Sequence, residues 1–256
     1  MTDAWAAKHQ NMMRTLLACL LPFTLTACIT TSSIPDAPDN FRDPAFQPPP
    51  AGARITLLPM QETQYEILRD GAEMLEDSLM AQLKAMGYKV ALIKRDDYLR
   101  LWQEEAKAVG GVYEENGTFK PREYMKALDS LVRKSCDATQ CALLINHQLV
   151  TRPALIDDGY IAWDSARLPL LNPDVKKLDQ GHGISVELTA ITPAGALAFK
   201  HYGAVTPLTG LTLTEMQQYV KKQQFFVEGD INQGARLALK PMREKVAPSP
   251  AVQKSN

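Results

Sequence analysis

The stretch RITLLPMQETQYEILRDGAEMLEDSLMAQLKAMGYKVALI, residues 54–93, decides the fold class. Arg54 to Met60 is short, apolar and bounded by polar sequence, which predicts a buried strand. From Glu66 to Met86, Ile67, Gly71, Leu75, Leu79, Leu83 and Met86 recur at helical spacing, joined by Leu68 and Met74. Gly87 supplies the residue that ends such a helix, because glycine enters the left-handed region at no steric cost. Tyr88 to Ile93 then predicts a second strand. Strand, helix, strand in this order is the unit that places two parallel strands side by side.

The pattern continues towards the C-terminus. Asp96 or Asp97 is expected to cap a helix carrying Leu99, Trp102 and Ala106. Gly110 to Lys120 is polar, with Asn116-Gly117 as its turn signal, and Pro121 starts a helix whose Tyr124, Met125, Leu128, Leu131 and Val132 face inward. Ala142 to Val150 predicts a third strand. Ile184, Val186, Leu188 and Ala190 alternate, Thr192 to Gly195 turns the chain, and Leu197, Phe199 and Val205 alternate again, which predicts a hairpin. Thr212 and Glu215 match a capping box before Met216, Tyr219 and Val220, and a last helix is expected from Asp230 to Lys245, limited by Pro241. The order predicts an α/β (α+β mixed) fold in one domain over residues 54–246, a mixed sheet covered by helices. Residues 247–256, with Pro248 and Pro250 and no periodicity, predict a disordered tail.

The start of the chain carries a different signal. Lys8 and Arg14 precede an apolar run from Leu16 to Thr24, and Leu25-Thr26-Ala27-Cys28 closes it. The run is far shorter than the roughly 20 residues that span a bilayer, and Pro22 interrupts it. These residues resemble the lipobox of bacterial lipoproteins, which implies a signal peptide over residues 1–27 and lipidation at Cys28. Leu17-Ala18-Cys19 is rejected as the processed site because too little apolar sequence lies upstream, and Met12 or Met13 offers a more compact basic start. Ile29 is not the aspartate that retains such lipoproteins at the inner membrane, so the resemblance implies a lipid-anchored protein on the periplasmic face of the outer membrane. Residues 28–53 hold Pro35, Pro38, Pro44, Pro48, Pro49, Pro50 and Gly52 and predict a semi-extended, Pro-rich tether.

The order of elements also resembles the amino-terminal domain of TolB and the periplasmic domain of the curli-secretion lipoprotein. Ile55-Thr56-Leu57-Leu58-Pro59, Leu79 to Leu83 and Gly87-Tyr88-Lys89-Val90 carry the resemblance. It implies a periplasmic module that binds envelope proteins and assembles with copies of itself. Membrane-inserted hairpins of the curli kind need strands of about 9–11 alternating residues, and Arg152 to Trp163, turning at Asp157-Asp158-Gly159, is too short.

The net charge of -1 with 22% charged residues excludes a strong field for nucleic acid or acidic lipid. Cys136 and Cys141 lie between a helix end and a strand start and predict a local disulfide in an oxidising compartment. His147, His182 and His201 are too irregularly spaced to nominate a zinc site. The pairs Glu104-Glu105, Glu114-Glu115 and Asp157-Asp158 read as solvated surface, and no phosphate loop, Ser elbow or His-Glu-x-x-His motif is present. No catalytic residue, metal ligand or cofactor is nominated. Arg152 to Asp179 reads as an irregular connection whose Trp163, Leu168, Leu170 and Leu171 either pack over the sheet edge or form the partner-binding surface expected of an interaction module. The leading expectation is an interaction module in envelope assembly or secretion. The alternative is an envelope hydrolase or carbohydrate-binding enzyme using the Asp157-Asp158 loop.

Overall fold

The computed structural model describes residues 36–60, 66–169, 180–208 and 226–244. They form a mixed α/β domain on one open sheet of eight strands. In chain order the elements are β1 (Phe41–Arg42), β2 (Arg54–Leu57), α1 (Glu66–Ala85), β3 (Lys89–Leu92), α2 (Arg95–Ala108), α3 (Pro121–Thr139), β4 (Leu143–Asp157), β5 (Tyr160–Trp163), β6 (Ala166–Pro169), β7 (Gln180–Ile191), β8 (Leu197–Leu208), α4 (Glu228–Ala238) and α5 (Lys240–Arg243). The sheet order is β1-β8-β7-β4-β2-β3, with β5 and β6 added beside β4. Only β3, β2 and β4 run parallel to their neighbours on this path, as helical connections require.

The strand–helix–strand expectation from residues 54–93 holds. Leu75, Leu79 and Leu83 of α1 are fully buried against Ile55, Leu57 and Ile145. At the end of α1 the Tyr88 amide donates to Leu83 O at 3.1 Å and the Gly87 amide to Lys84 O at 2.9 Å, with Gly87 at φ 88°. That is the Schellman pattern, which satisfies carbonyls a helix end would otherwise leave orphaned. The β7–β8 hairpin is also as expected: Ile184, Val186, Leu188 and Ala190 are fully buried, and Gly195 at φ 85° closes the turn onto Thr192 O. A bulge at Val205 opposite Ile184 and Ser185 shifts the parity of β8. Leu197, expected inward, is exposed, as is Met125 on α3.

Helix α4 covers β8 at unusually short range. A Cβ at Gly203 would fall 2.0 Å from Gly234 O, so two glycines let the helix backbone rest on the strand. On the opposite face of the sheet, α2 and α3 cover Leu58 and Leu144. Helix α2 starts at Arg95 without a side-chain cap, so Asp96 and Asp97 lie within its first turn rather than capping it. The last helix breaks at Leu239, and α5 ends at Arg243 with Pro241 in its first turn.

Helix α3 ends in a second Schellman pattern, with Gln140 at φ 53° and the Cys141 amide on Cys136 O at 3.0 Å. Such ends commonly carry an apolar contact between the two residues that here are Cys136 and Cys141. A disulfide takes the place of that contact, with a Cα separation of 4.7 Å.

Two expectations about whole segments fail. Residues 36–53 are not a free tether. Ala37 and Phe46 are buried, β1 pairs with β8, Phe46 packs on Phe199 with centroids 5.5 Å apart, and Pro49 O accepts the Tyr88 hydroxyl. The proline content hid a few well-placed anchors, and the domain takes in residues 36–53. Nor is Arg152 to Asp179 irregular up to Pro169. β4 continues to Asp157, turns at Asp158-Gly159 (φ 45° and 78°), and pairs with β5, which pairs with β6. The capping box at Thr212 and Glu215, the tail, the signal segment, Cys28, Leu170 and Leu171 lie outside the described residues.

Phe46→Ala should lower the unfolding free energy by about 3 kcal/mol, the cost of a buried phenylalanine, where a free tether would cost nothing. Urea titration of both proteins measures it. Joint replacement of Cys136 and Cys141 by alanine should cost about 2 kcal/mol on the loop-entropy account. Thiol alkylation should gain these two sites only after reduction.

Candidate functional site

Trp163 is not on the surface. It is 5% exposed, its Nε1–H donates to Ser185 Oγ at 3.1 Å, and its indole lies directly over Gly183, where a Cβ would fall 2.4 Å from the ring. With Ala154, Ile161, Ala166 and Ala204 it forms a small second core beneath the β5–β6 hairpin. Truncating it would open a cavity rather than remove a contact surface, so the expectation that Trp163 binds a partner is corrected. Leu168, on β6, is 36% exposed.

Beside this core stands a partly buried ion cluster. Arg152 donates through Nε to Asp164 Oδ2 at 3.0 Å, grips both carboxylate oxygens of Asp39, and lies 3.9 Å above the Tyr202 ring. Asp164 Oδ2 also accepts the Ser185 hydroxyl at 2.7 Å. Burial works against the Arg152 charge, but the two carboxylates outweigh it and raise its pKa, while Arg152 holds Asp39 below the usual carboxylate range. Burial pushes the Tyr202 hydroxyl up to about 12. Every member of the cluster is paired, which marks it as structural.

The three histidines do not converge. His147 and His201 flank Leu188 in one cross-strand row, two strand spacings apart, and His182 sits six residues along β7 from Leu188. Among the described residues no group of three or more His, Cys, Asp or Glu could hold a metal. His147 is fully buried, with Nε2 3.6 Å from Glu76 Oε1, an electrostatic contact too long for a hydrogen bond. The imidazole draws the Glu76 carboxyl below its usual range, against the burial that would raise it.

The open surface lies elsewhere, over α2, α3 and the loop between them. The loop closes on itself through Glu114 N–H to Thr118 O at 2.8 Å and Thr118 N–H to Asn116 Oδ1 at 2.9 Å, with Gly117 at φ 83°. This small hairpin presents Tyr113 and Phe119, 59% and 45% exposed. Their rings continue a chain: Tyr113 to Phe119 at 5.5 Å, Phe119 to Tyr124 at 5.4 Å, Tyr124 to Trp102 at 5.4 Å in an edge-on arrangement. The chain borders a groove of about 460 Å³ between α2 and α3, walled by Tyr98, Trp102 and Tyr124 and floored by Asn146 and Thr189. Asn146 and Thr189 are cross-strand partners. A second cavity of about 390 Å³ lies where β2 and β3 end and α1 and α2 leave on opposite faces, the usual ligand position in open α/β sheets. Pro59, Met60 and Arg95 border both.

Helical spacing alone places Trp102 and Tyr124 in the interior and gives no sign of Tyr98, Tyr113 or Phe119. The Asn116-Gly117 turn was the available signal, because a tight turn flanked by two aromatic residues displays both.

No family model matches the chain, and no curated protein matches it. Among solved structures it is similar to that of a dodecamer of a PelC point variant from Paraburkholderia phytofirmans, with a TM-score of 0.34 and 10% identity over 78% of this chain and 96% of that one. A likeness of that order carries no functional argument.

His201 gives a pH signature. Burial pushes its pKa below the ordinary 6.5, against the pull of Asp36 upward. Below about 6.5 the unfolded chain therefore takes up a proton that the folded one resists, so stability rises with pH through this window and is lost as pH falls. Asp36, Asp39, Glu76 and Glu105, all held below their usual range, add a further loss at more acid pH. The melting temperature should fall between pH 7 and pH 5, and His201→Gln should flatten that part of the profile.

Proposed function

We propose that this chain is an outer-membrane lipoprotein, anchored through Cys28, whose periplasmic α/β domain binds protein partners in envelope assembly or secretion. The observation that carries the binding role is the aromatic chain Tyr113–Phe119–Tyr124–Trp102, exposed at Tyr113 and Phe119 and half-buried at Tyr124 and Trp102, beside an open groove. Aromatic rings bury large area at low rotamer cost, and contiguous exposed apolar surface marks interaction sites. The Cys136–Cys141 disulfide supports an oxidising compartment. No described helix is long and apolar enough to cross a membrane. A hydrolase at Asp157-Asp158 has less support: the pair is exposed at the β4–β5 turn and lines neither of the two cavities described above.

The partner surface accordingly moves from Trp163 to Tyr113 and Phe119. Crosslinking in the native host followed by affinity capture should recover envelope proteins with the wild type. Tyr113→Ser with Phe119→Ser should lower that recovery at least tenfold, since hot-spot truncations cost about 2 kcal/mol or more, with melting unchanged. Equal recovery from both proteins would defeat the assignment.

A further inference from the structure

We infer that the outward face of the β5–β6 hairpin, with Leu155, Tyr160 and Arg167, is a docking surface for the membrane that holds the anchor; this rests on the lipid anchor proposed at Cys28. Asp36 is fixed to the domain: its carboxylate accepts the Ser165 hydroxyl at 2.7 Å and pairs with Lys240 at 2.8 Å. Cys28 lies eight residues before it. Whatever those residues do, they reach at most about 29 Å, against about 90 Å for a tether running to residue 53. Ser165 belongs to the β5–β6 turn. The chain therefore enters the domain between the hairpin turn and α5, and the hairpin is the exposed apolar face at that point of entry.

The register says which side chains it presents there. Ile156 pairs with Ile161 and Ile161 with Leu168, and this row faces the small core around Trp163. The alternate rows, Leu155–Ala162–Arg167 and Asp157–Tyr160–Pro169, point away from it. Leu155 is 67% exposed, the highest value among the exposed large apolar residues, and Tyr160 is 40% exposed. The Arg167 guanidinium lies 4.3 Å above the Tyr160 ring. Tyrosine settles at headgroup level, and arginine reaches phosphate while its stem lies on apolar surface. Asp157 and Asp158, at the tip, stay in water, which limits the contact to the headgroup layer and excludes insertion.

The test uses the full-length protein with its anchor, in vesicles of phosphatidylethanolamine and phosphatidylglycerol containing a headgroup spin-labelled lipid. Leu155→Trp and Tyr113→Trp, each with Trp102→Phe, place the reporter on the hairpin or on the distant aromatic chain; buried Trp163 contributes equally to both. Emission from the Leu155→Trp protein should be quenched several-fold more strongly than from the Tyr113→Trp protein. Equal quenching, or none in either, would overturn the docking surface, while acyl mass and co-flotation with vesicles would still uphold the anchor. Protein without acyl mass would overturn both.

Discussion

Arg152 sits where three otherwise separate parts of the chain meet. Its guanidinium binds Asp39 of the N-terminal segment and Asp164 of the β5–β6 turn, while its own strand, β4, runs through the middle of the sheet. Asp164 carries the constraint further. It fixes Ser185, Ser185 accepts the Trp163 indole, and Trp163 lies flat on Gly183. The Asp164 side chain is 4% exposed, so removal of Arg152 would leave a buried carboxylate uncompensated, a loss of about 3–5 kcal/mol. The Asp39 side chain is half exposed, and losing that arm alone costs less than about 1 kcal/mol. The cluster therefore secures the hairpin strongly and the N-terminal segment only together with Phe46, β1 and the Asp36 contacts.

What sequence could reveal follows from the range of the forces involved. The helix α1, its Gly87 ending, the β7–β8 alternation and the Cys136–Cys141 staple are local, written within a few turns or one strand pair, and they were legible. The packed state of residues 36–53 was not, because it depends on partners as remote as Phe199, Arg152 and Lys240. Average composition there is that of a loose linker, yet Phe46 and a few polar side chains suffice to fix it. The β5–β6 turn was invisible for another reason. Asp164 and Ser165 both take positive φ, 37° and 68°, where an Asn-Gly pair would have announced the turn. Bonds from Asp164 and Ser165 to Arg152, Ser185 and Asp36 hold a backbone that its own residues do not prefer.

The aromatic groove and the hairpin lie at opposite ends of β4. Asn146, on the groove floor, and Leu155, on the hairpin face, are nine residues apart on one strand. At the rise of an extended chain that separation is about 30 Å. The same strand that sets the sheet also sets the distance between the two surfaces.

The central claim is that residues 36–46 fold as part of the domain rather than linking it to an anchor. Hydrogen exchange of two backbone amides tests this most directly: Asp43, which donates to Ala198 O at 2.9 Å, and Tyr202, which donates to Asn40 Oδ1 at 3.0 Å. Both should exchange with protection within about 1–2 kcal/mol of global unfolding, as core amides do. Exchange of the Asp43 amide at the rate of an unstructured peptide, with the sheet amides still protected, would contradict it.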